Sequence, residues 1–318
     1  MIFMKIMIIG DGKIGSVLAE QLSKEKHEVT LVDRSGVRLD QSNNELDVMV
    51  VEGDGASREV QLEAGADQAD LVIACTGADE LNLLCCLIAK KAGNCHTIAR
   101  VRNPEYYSES QFLKDELGLA MVINPEFAAA SEIARVLRFP SAIKIDIFGR
   151  GRVELLKFRL PENSPLAGCA VKEIVTKLHC DVLVCTVERG DEVHIANGEF
   201  VFEEKDVISI VAATRKAGEF FRKIKYKMNS VKDVMVVGGG EIGHYLCEQL
   251  IRSGMSVKLI EKDPARCETL CATLDDVVAV INGDASDQNI LVESGLEQTG
   301  AFVALTNLDE ENILLSLF

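Results

Sequence analysis

Tryptophan is absent from this sequence, and aromatic residues make up only 5% of its 318 residues. Proteins that bind single-stranded nucleic acid use aromatic side chains on which the bases stack, so this composition argues against such a surface. The formal net charge of −16 argues the same way, because an acidic surface repels phosphate backbones and anionic lipid headgroups. We find no run of lysine or arginine long enough to form a compensating basic patch.

Long hydrophobic runs are also missing, since no apolar stretch approaches the roughly 20 residues that span a bilayer. The first residues, Met1 to Lys5, lead directly into an apolar segment of strand length, which leaves no room for a cleavable signal peptide. We therefore expect a soluble protein of the cytosol. Its length exceeds what one hydrophobic core usually serves, so we expect two or three domains.

Little in the sequence indicates a metal site or a set of catalytic residues. The ten cysteines form no C-x-x-C pair, and the five histidines show neither metal-ligand nor triad spacing. Cys267 and Cys271 are one helical turn apart, but no histidine pair accompanies them. Most cysteines lie in apolar segments, where a reduced thiol behaves as a small hydrophobe. We expect no metal and no catalytic residue.

The most informative stretch runs from Lys5 to Asp33. An apolar segment precedes Gly10-x-Gly12-x-x-Gly15, a helical pattern follows, and the next apolar segment ends on Asp33. A strand, a glycine turn and a helix in this order are typical of a dinucleotide site, in which the pyrophosphate approaches the turn and faces the helix N-terminus. The acid that ends the second strand is then placed to accept hydrogen bonds from the ribose hydroxyls.

The alternation of apolar segments and helical patterns continues to about residue 139. Further strands are predicted at 48–51, 71–74, 97–100 and 121–123, and further helices at 58–64, 80–91 and 125–138. Uniformly apolar strands are typical of a parallel sheet that is covered on both faces. We therefore predict an α/β domain over residues 1–139, a Rossmann-like doubly wound parallel sheet.

The pattern of predicted elements changes at Pro140. Short strand patterns at 153–159, 181–187, 193–195 and 207–212 and a helix near 171–178 predict a small α+β module over residues 140–228. Arg189-Gly190-Asp191 and Asn197-Gly198 are hairpin turn signals. The module carries no nucleotide fingerprint.

The opening stretch then returns, displaced by 228 residues, so that Gly238 stands where Gly10 stood and Glu261 where Asp33 stood. A repeat this extended indicates internal duplication. The copy, over residues 229–318, lacks the last two strands of the first, so we predict an incomplete second Rossmann-like domain. We also expect the sequence to be part of a longer one, ordered sheet, module, sheet, module.

Together these motifs resemble the RCK (KTN) domain family. The residues that carry the resemblance are both glycine turns, Asp33-Arg34, Gly53-Asp54, Thr76, Asp79-Glu80-Leu81-Asn82, the segment from Ala99 to Glu105, Asn124-Pro125 and, in the module, Leu166-Ala167-Gly168. The resemblance covers essentially the whole chain. It implies that the module is the small C-terminal RCK subdomain.

The resemblance also implies a function. It implies a regulatory subunit, not an enzyme, that binds NAD(H), with ATP or ADP as alternative or competing ligands. Such a subunit is cytoplasmic and peripheral to the inner face of the cell membrane. It assembles as a homo-oligomer, a dimer or tetrameric ring, and gates a TrkH/TrkG-like potassium-translocating membrane subunit.

Nucleotide-binding residues follow from the same resemblance. In the first copy they are Gly10, Gly12, Lys13, Ile14 and Gly15 at the phosphates, Asp33 and Arg34 at the ribose, Gly53, Asp54 and Gly55 at the adenine end, Thr76 and Gly77 along the cleft, and Arg100 at the terminal phosphate or the nicotinamide half of the ligand. In the second copy they are Gly238, Gly240, Glu241, Ile242, Gly243, Glu261, Asp284 and Thr306. Asp33 should disfavour NADP because a carboxylate repels a 2′-phosphate, although Arg34 could contact one. Glu241 replaces Lys13 and should weaken binding of a triphosphate at the second copy.

Alternatives stay open at this level. Arg100 is equally explained as a solvated cation at a strand end, and Lys13 as charge on a helix surface. Asp79 and Glu80 lie at a helix start, where carboxylates favour the helix dipole, so no acid–base role is needed. The whole chain could instead be an NAD-dependent oxidoreductase acting on a small molecule, or a structural assembly protein with vestigial sites. The oxidoreductase needs a proton-transferring side chain at the nicotinamide, which the module does not offer.

Overall fold

A computed structural model describes residues 3–138, 144–148, 153–226 and 231–317. The predicted domain boundaries, at residues 139–140 and 228–229, lie outside these ranges. The chain divides into two compact units, Met1–Ala130 and Ser131–Phe318. Within the described ranges, every helix is too short or too polar to cross a membrane.

Strands and helices alternate regularly through the N-terminal part of the chain. In order they are β1 (Lys5–Ile9), α1 (Lys13–Lys24), β2 (Glu28–Asp33), α2 (Gly36–Glu45), β3 (Met49–Glu52), α3 (Arg58–Glu63), β4 (Leu71–Ala74), α4 (Asp79–Gly93), β5 (His96–Arg100), α5 (Pro104–Ser108), α6 (Ser110–Leu117), β6 (Met121–Ile123) and α7 (Pro125–Arg138). The six strands form one parallel sheet in the order β3-β2-β1-β4-β5-β6. This is the doubly wound order, so the predicted fold is confirmed.

Strand β1 lies at the centre of this sheet and is buried on both faces. Ile6 and Ile8 belong to the apolar cluster formed with α1 and α2. Met7 and Ile9 belong to the cluster on the opposite face, formed with α4. Successive side chains of a strand point to opposite faces, so a central strand needs an apolar residue at each position. The sheet thereby gives firm support to the loops at its carboxyl edge.

The module that follows is built on an antiparallel sheet. Its elements are β7 (Lys144–Phe148), β8 (Val153–Arg159), α8 (Glu173–Leu178), β9 (Val182–Arg189), β10 (Glu192–Ile195), β11 (Val207–Ala213) and α9 (Thr214–Lys223). The strand order is β10-β9-β11-β8-β7. Phe158, Phe202, Phe220 and Phe221 fill its core. The predicted small α+β module is confirmed.

The two turn signals of the module have different outcomes. The turn at Gly190 joins β9 and β10 as a hairpin, as predicted. Asn197 also begins a turn, since its carbonyl accepts a hydrogen bond from the Phe200 N–H at 3.1 Å. The hairpin predicted there is wrong, because the following Val201 bridges Ala170 instead of pairing with β10.

The last part of the chain repeats the first. Its elements are β12 (Asp233–Val237), α10 (Glu241–Arg252), β13 (Ser256–Glu261), α11 (Pro264–Thr273), β14 (Val278–Asn282), α12 (Gln288–Glu293), a 3-10 turn (Leu296–Gln298), β15 (Ala301–Ala304) and α13 (Asp309–Leu317). The four strands are parallel in the order β14-β13-β12-β15. This order matches β3-β2-β1-β4, so the incomplete second Rossmann-like sheet is confirmed among the described residues.

Candidate nucleotide-binding site

The turn after β1 contains three glycines that are needed for different reasons. Gly10 has a φ of +107°, and a Cβ there would lie 2.9 Å from the backbone nitrogen of Thr76. A Cβ on Gly15 would lie 1.8 Å from the carbonyl oxygen of Gly10, so α1 can pack against the turn only with glycine at this position. Gly12 differs, because a Cβ there would meet no described atom within 4 Å. The space beside Gly12 is open to a ligand.

Helix α1 begins directly after this open space. Gly12 is its N-cap and supplies no side-chain hydrogen bond, and the first turn contains no acidic residue. The backbone N–H groups of such a helix start carry positive partial charge and are available to phosphate oxygens. Lys13 is exposed beside them, whereas Ile14 packs inward against the apolar cluster of this face. Ile14 therefore supports the turn from below.

Asp33, at the end of β2, is held in place by backbone donors. Its Oδ2 accepts a hydrogen bond from the Asp11 N–H and its Oδ1 one from the Ser35 N–H, both at 2.8 Å. Each carboxylate oxygen has a further acceptor position, which is available to a hydroxyl of a ligand. The acid is thus oriented before any ligand arrives.

A cavity of about 100 Å³ lies at the carboxyl edge of the sheet and brings many of the predicted residues together. Its lining consists of Ile9, Gly10, Val32, Asp33, Arg34, Gly53, Asp54, Gly55, Thr76 and Leu81. Gly12 and Lys13 line a neighbouring groove of about 570 Å³ between α1 and α2. The lining of the cavity does not include Gly77 or Arg100.

An ion pair stands at the mouth of the cavity. Arg34 Nη2 lies 2.7 Å from Asp54 Oδ2, and both side chains are exposed. Asp54 Oδ1 also accepts a hydrogen bond from the Ala56 N–H at 3.0 Å. The Ala56 N–H, followed by Arg34, holds the pKa of Asp54 below its usual range. A carboxylate and a guanidinium are therefore both presented to a ligand at this rim.

Gly53 and Gly55, on either side of Asp54, are glycines because the loop lies close to other side chains. A Cβ on Gly53 would lie 2.8 Å from Val60, and one on Gly55 would lie 2.2 Å from Ile9. The fully buried Gln61 donates to the Gly55 carbonyl at 2.6 Å and fixes the loop from behind. These contacts set the shape of the floor of the cavity.

Asn82 fixes the opposite wall. The fully buried Asn82 accepts hydrogen bonds at its Oδ1 from the N–H and the hydroxyl of Thr76, both at 2.7 Å. Its Nδ2 donates to the Arg100 carbonyl at 2.9 Å. One side chain thus joins the ends of β4 and β5 and orients Thr76. Sequence reasoning named Asn82 only as part of a family motif and missed this role.

Asp79 is an anchor for the next loop. Its Oδ2 accepts hydrogen bonds from the N–H groups of Arg102 and Asn103, each at 2.7 Å, and its side chain is almost completely buried. The Arg102 side chain pairs with the same carboxylate and donates to the Gly77 carbonyl. The helix dipole alone is therefore an incomplete explanation of this acid. Gly77 takes part through its carbonyl, which holds the cleft loop in place.

Arg100 is engaged by a neighbouring acid. Its guanidinium forms an ion pair with Glu126 of α7, and the two side chains are only 13% and 15% exposed. From the sequence, Arg100 was interpreted either as a ligand contact or as a solvated cation. Neither interpretation includes the ion pair with Glu126. Arg100 Nε and Glu126 Oε2 are buried without hydrogen bonds to the described residues.

A second buried acid lies in the turn itself. Asp11 is 4% exposed and its Oδ2 accepts a hydrogen bond from the Ser42 hydroxyl of α2 at 2.8 Å. Burial raises the pKa of Asp11, and the nearby Asp33 raises it further, whereas Ser42 and Arg38 oppose these effects. Sequence reasoning did not single out Asp11. The feature that could have identified Asp11 is its position between Gly10 and Gly12 of the turn.

The thiol of Cys75 lies beneath the turn, with its Sγ 3.5 Å from the Gly10 carbonyl oxygen. Burial raises the pKa of Cys75 to about 11, so the thiol is neutral near pH 7. The ten cysteines are free. Cys75 therefore packs under the turn as a small apolar side chain.

The second copy repeats the geometry of the turn. Gly238 has a φ of +100°, a Cβ on Gly243 would lie 2.1 Å from the Gly238 carbonyl oxygen, and Gly240 has open space at its Cβ position. Glu261 accepts hydrogen bonds from the N–H groups of Gly239 and Asp263 at 2.7 and 2.8 Å. The longer acid thus makes the same two contacts as Asp33.

The remaining residues predicted in the second copy also lie at equivalent places. Asp284 pairs with Lys262 at 3.5 Å, as Asp54 pairs with Arg34. The Thr306 N–H donates to Asn312 at 2.7 Å, as Thr76 does to Asn82. Ile242 is half-buried, and Glu241 pairs with Arg266 at 3.4 Å.

Family models and known proteins match the chain. The TrkA-N domain model matches residues 6–125 and 234–318, and the TrkA-C domain model matches residues 155–225. A protein of Archaeoglobus fulgidus, described as "Trk system potassium uptake protein TrkA homolog", is 34% identical over 314 residues. This match covers 99% of the present chain and 70% of the relative.

Several solved structures of the GsuK channel share the fold of this chain. GsuK bound to NAD matches with a TM-score of 0.69 at 18% identity, and GsuK bound to ADP with a TM-score of 0.60 at 15% identity. Each match covers 99% of the present chain and 55% or 56% of the GsuK chain, so the present chain spans about half the length of GsuK. This likeness shows the shared fold.

Proposed function

Since this chain belongs to the TrkA family, we propose that it is a nucleotide-sensing regulatory subunit that gates a Trk-type potassium transporter. The observation that carries the proposal is the open space at Gly12, next to an uncapped helix start and the held carboxylate of Asp33. Packing within the chain does not require glycine at this position. A phosphate that approaches the backbone does.

We propose NAD(H) as the ligand, with ATP and ADP as alternative or competing ligands. Support comes from the GsuK structures of the same fold, which contain NAD and ADP. In this arrangement Asp33 binds the ribose, the loop at Asp54 lies at the adenine end, and Thr76 lines the cleft. The carboxylate of Asp33 favours NAD over NADP by repelling a 2′-phosphate. Arg100 remains a candidate for the distal half of the ligand, provided that it is released from Glu126.

Gating requires two conformations with different affinity for the nucleotide. A ligand shifts such an equilibrium only by its differential affinity, and a coupling of about 1–3 kcal/mol is typical. We propose that the chain forms a homo-oligomer on the cytoplasmic side of the membrane and acts on a TrkH/TrkG-like subunit. We also propose three domains, divided at residues 139–140 and 228–229. The three separate segments matched by the family models support this division.

An NAD-dependent oxidoreductase is the alternative. It requires a histidine, lysine or tyrosine that transfers a proton beside the nicotinamide. A panel of small alcohols and acids, tested for NADH oxidation or NAD reduction by the purified chain, distinguishes the two functions.

Titration calorimetry of the purified chain with NADH, NAD, ATP and ADP tests the proposal. We expect binding below millimolar concentration, and we expect Gly12→Val combined with Gly240→Val to abolish it. Gly218→Val is the matched control, because the Cβ position of Gly218 is equally open but lies on α9 of the module. Failure of all four nucleotides to bind would contradict the proposal.

Gating is tested with the potassium-translocating subunit reconstituted in liposomes. We expect the chain to make potassium flux depend on the nucleotide that is added. The chain with both valine substitutions should make flux insensitive to nucleotides. A flux that is the same with and without the chain, in every nucleotide, would refute the regulatory function.

A further inference from the structure

We propose that the two glycine turns select nucleotides by charge, so that the first accepts a nucleoside triphosphate and the second prefers a nucleotide with two phosphates. This inference rests on the proposed function, because it concerns the ligands of the same two sites. It is carried by different side-chain pairs at the starts of α1 and α10.

The adenosine ends of the two sites are equivalent. Asp33 and Glu261 each accept a hydrogen bond from the residue after the first glycine, at 2.8 and 2.7 Å. A cation–carboxylate pair stands at the same place in both copies. Thr76 and Thr306 are held by equivalent asparagines. The reversal of charge between the two copies therefore lies at the phosphate end, where Glu241 stands in place of Lys13.

The first turn offers an uncommitted cation. Lys13 is the first residue of α1, and its exposed side chain forms no ion pair or hydrogen bond with any residue that the structure describes. Arg38 of α2, which is also exposed, lines the same groove. Lys13 and Arg38 are therefore the cations available to an additional phosphate.

In the second turn, the corresponding cation is already part of an ion pair. Arg266 stands at the position of Arg38, and its Nε donates to the Gly239 carbonyl at 2.7 Å. Its Nη2 lies 3.4 Å from Oε1 of Glu241, which replaces Lys13. Both side chains of this pair are about two-thirds buried. The second turn therefore presents a carboxylate where the first presents a free ammonium group.

Glu241 also places negative charge in the first turn of α10. A carboxylate in the first turn of a helix is stabilised by the same N–H groups and dipole that bind phosphate. A third phosphate would bring additional negative charge towards this carboxylate, whereas in the first turn it would approach Lys13. We expect the ratio of affinities for ATP and ADP to differ between the two sites by about tenfold, which is the effect of one charged hydrogen bond.

Two single-site chains make the comparison possible. Gly240→Val leaves only the first site, and Gly12→Val leaves only the second, because the open Cβ positions accept a side chain without disturbing the turn. Calorimetry of each full-length chain with ATP and with ADP gives the ratio of the two affinities. We expect ATP to bind more tightly than ADP at the first site, and ADP to bind more tightly than ATP at the second.

Charge exchange identifies the residues responsible. Glu241→Lys in the Gly12→Val chain should raise the ATP/ADP affinity ratio about tenfold, and Lys13→Glu in the Gly240→Val chain should lower it similarly. Glu248→Lys is the matched control, because it makes the same charge change on α10 at a residue that contacts His244 and Arg252 of the same helix and not the glycine turn. The ratio at the second site should be unaffected by this control.

The outcomes separate this inference from the proposed function. Equal ATP/ADP ratios in the two single-site chains would overturn the inference while leaving nucleotide binding intact. An effect of Glu248→Lys as large as that of Glu241→Lys would also overturn it, since selectivity would then come from the overall charge of the helix. If neither single-site chain binds any nucleotide, the proposed function fails and this inference fails with it.

Discussion

The backbone N–H of Asp11 donates a hydrogen bond to Oδ2 of Asp33 across 2.8 Å. This contact joins the glycine turn directly to the end of the neighbouring strand, so the phosphate and ribose positions are fixed relative to each other. A site that is organised before the ligand arrives loses less conformational entropy on binding. Asp33 is therefore part of the fold as well as part of the proposed site.

Replacement of Asp33 by asparagine separates these two roles. We expect D33N to weaken NAD binding about tenfold or more, because an amide offers one acceptor oxygen where the carboxylate offers two. The preference for NAD over NADP should narrow, since the charge that repels a 2′-phosphate is lost. Calorimetry in the Gly240→Val chain, with Asp40→Asn on the exposed face of α2 as control, measures both effects. Unchanged affinity for both dinucleotides would contradict the ribose assignment.

Gly12 and Gly15 should respond oppositely to substitution. Gly12→Ala is expected to change the free energy of unfolding by less than about 1 kcal/mol and to weaken nucleotide binding strongly, because its Cβ meets only the ligand. Gly15→Ala should destabilise the fold by about 3 kcal/mol or more, because its Cβ would lie 1.8 Å from a backbone oxygen. Urea unfolding and calorimetry provide the two measurements. A large loss of stability in Gly12→Ala would show that the glycine serves packing.

The stability of the fold should depend on pH through Asp11. Burial raises the pKa of Asp11, so the folded state favours the protonated carboxyl. The cost of its charge is absent below the ordinary pKa and grows as the pH rises through the raised value. Asp11→Asn should therefore gain stability relative to the parent chain between about pH 4 and pH 7. Urea unfolding over this pH range measures the difference.

Asp54 provides the control with the opposite sign. The Ala56 N–H and Arg34 lower the pKa of Asp54, so its ionised form stabilises the fold above its ordinary pKa. This contribution is lost as the pH falls through the lowered value. Asp54→Asn should therefore lose stability at neutral pH and approach the parent at low pH. The effect will be small because the side chain is well exposed. A difference in stability between Asp11→Asn and the parent chain that does not change with pH would refute the prediction for Asp11.

The ion pair between Arg100 and Glu126 can be tested for a structural and a ligand-binding role together. Arg100→Ala should cost about 3 kcal/mol of unfolding free energy, because it leaves Glu126 largely buried without its partner. The double variant with Glu126→Ala should recover part of this loss. If Arg100 also contacts the ligand, Arg100→Ala will weaken NAD binding while Glu126→Ala will not. Equal binding by both single variants would assign the pair to the fold alone.

Much of the fold could be predicted from the sequence because the patterns that indicate it are local. Strand β1, its glycine turn and Asp33 lie within one continuous stretch, and their residue types follow from burial and backbone conformation. Helix α2 was not predicted, since its sequence from Gly36 to Glu45 is rich in polar residues and begins with glycine. It is stabilised by tertiary packing, chiefly by Leu39, which is buried in the cluster shared with α1. Helix propensity does not predict the packing of Leu39.

The sequence by itself determined the turn, the acid that closes β2 and their repetition in the second copy. Only the tertiary structure decided which partner each polar or charged side chain takes. Asn82 holds Thr76, Arg100 pairs with Glu126, and Arg266 pairs with Glu241. The partners in the last two pairs are 26 and 25 residues apart in the chain. They meet because the parallel sheet brings the ends of successive strands and the starts of the following helices to one edge.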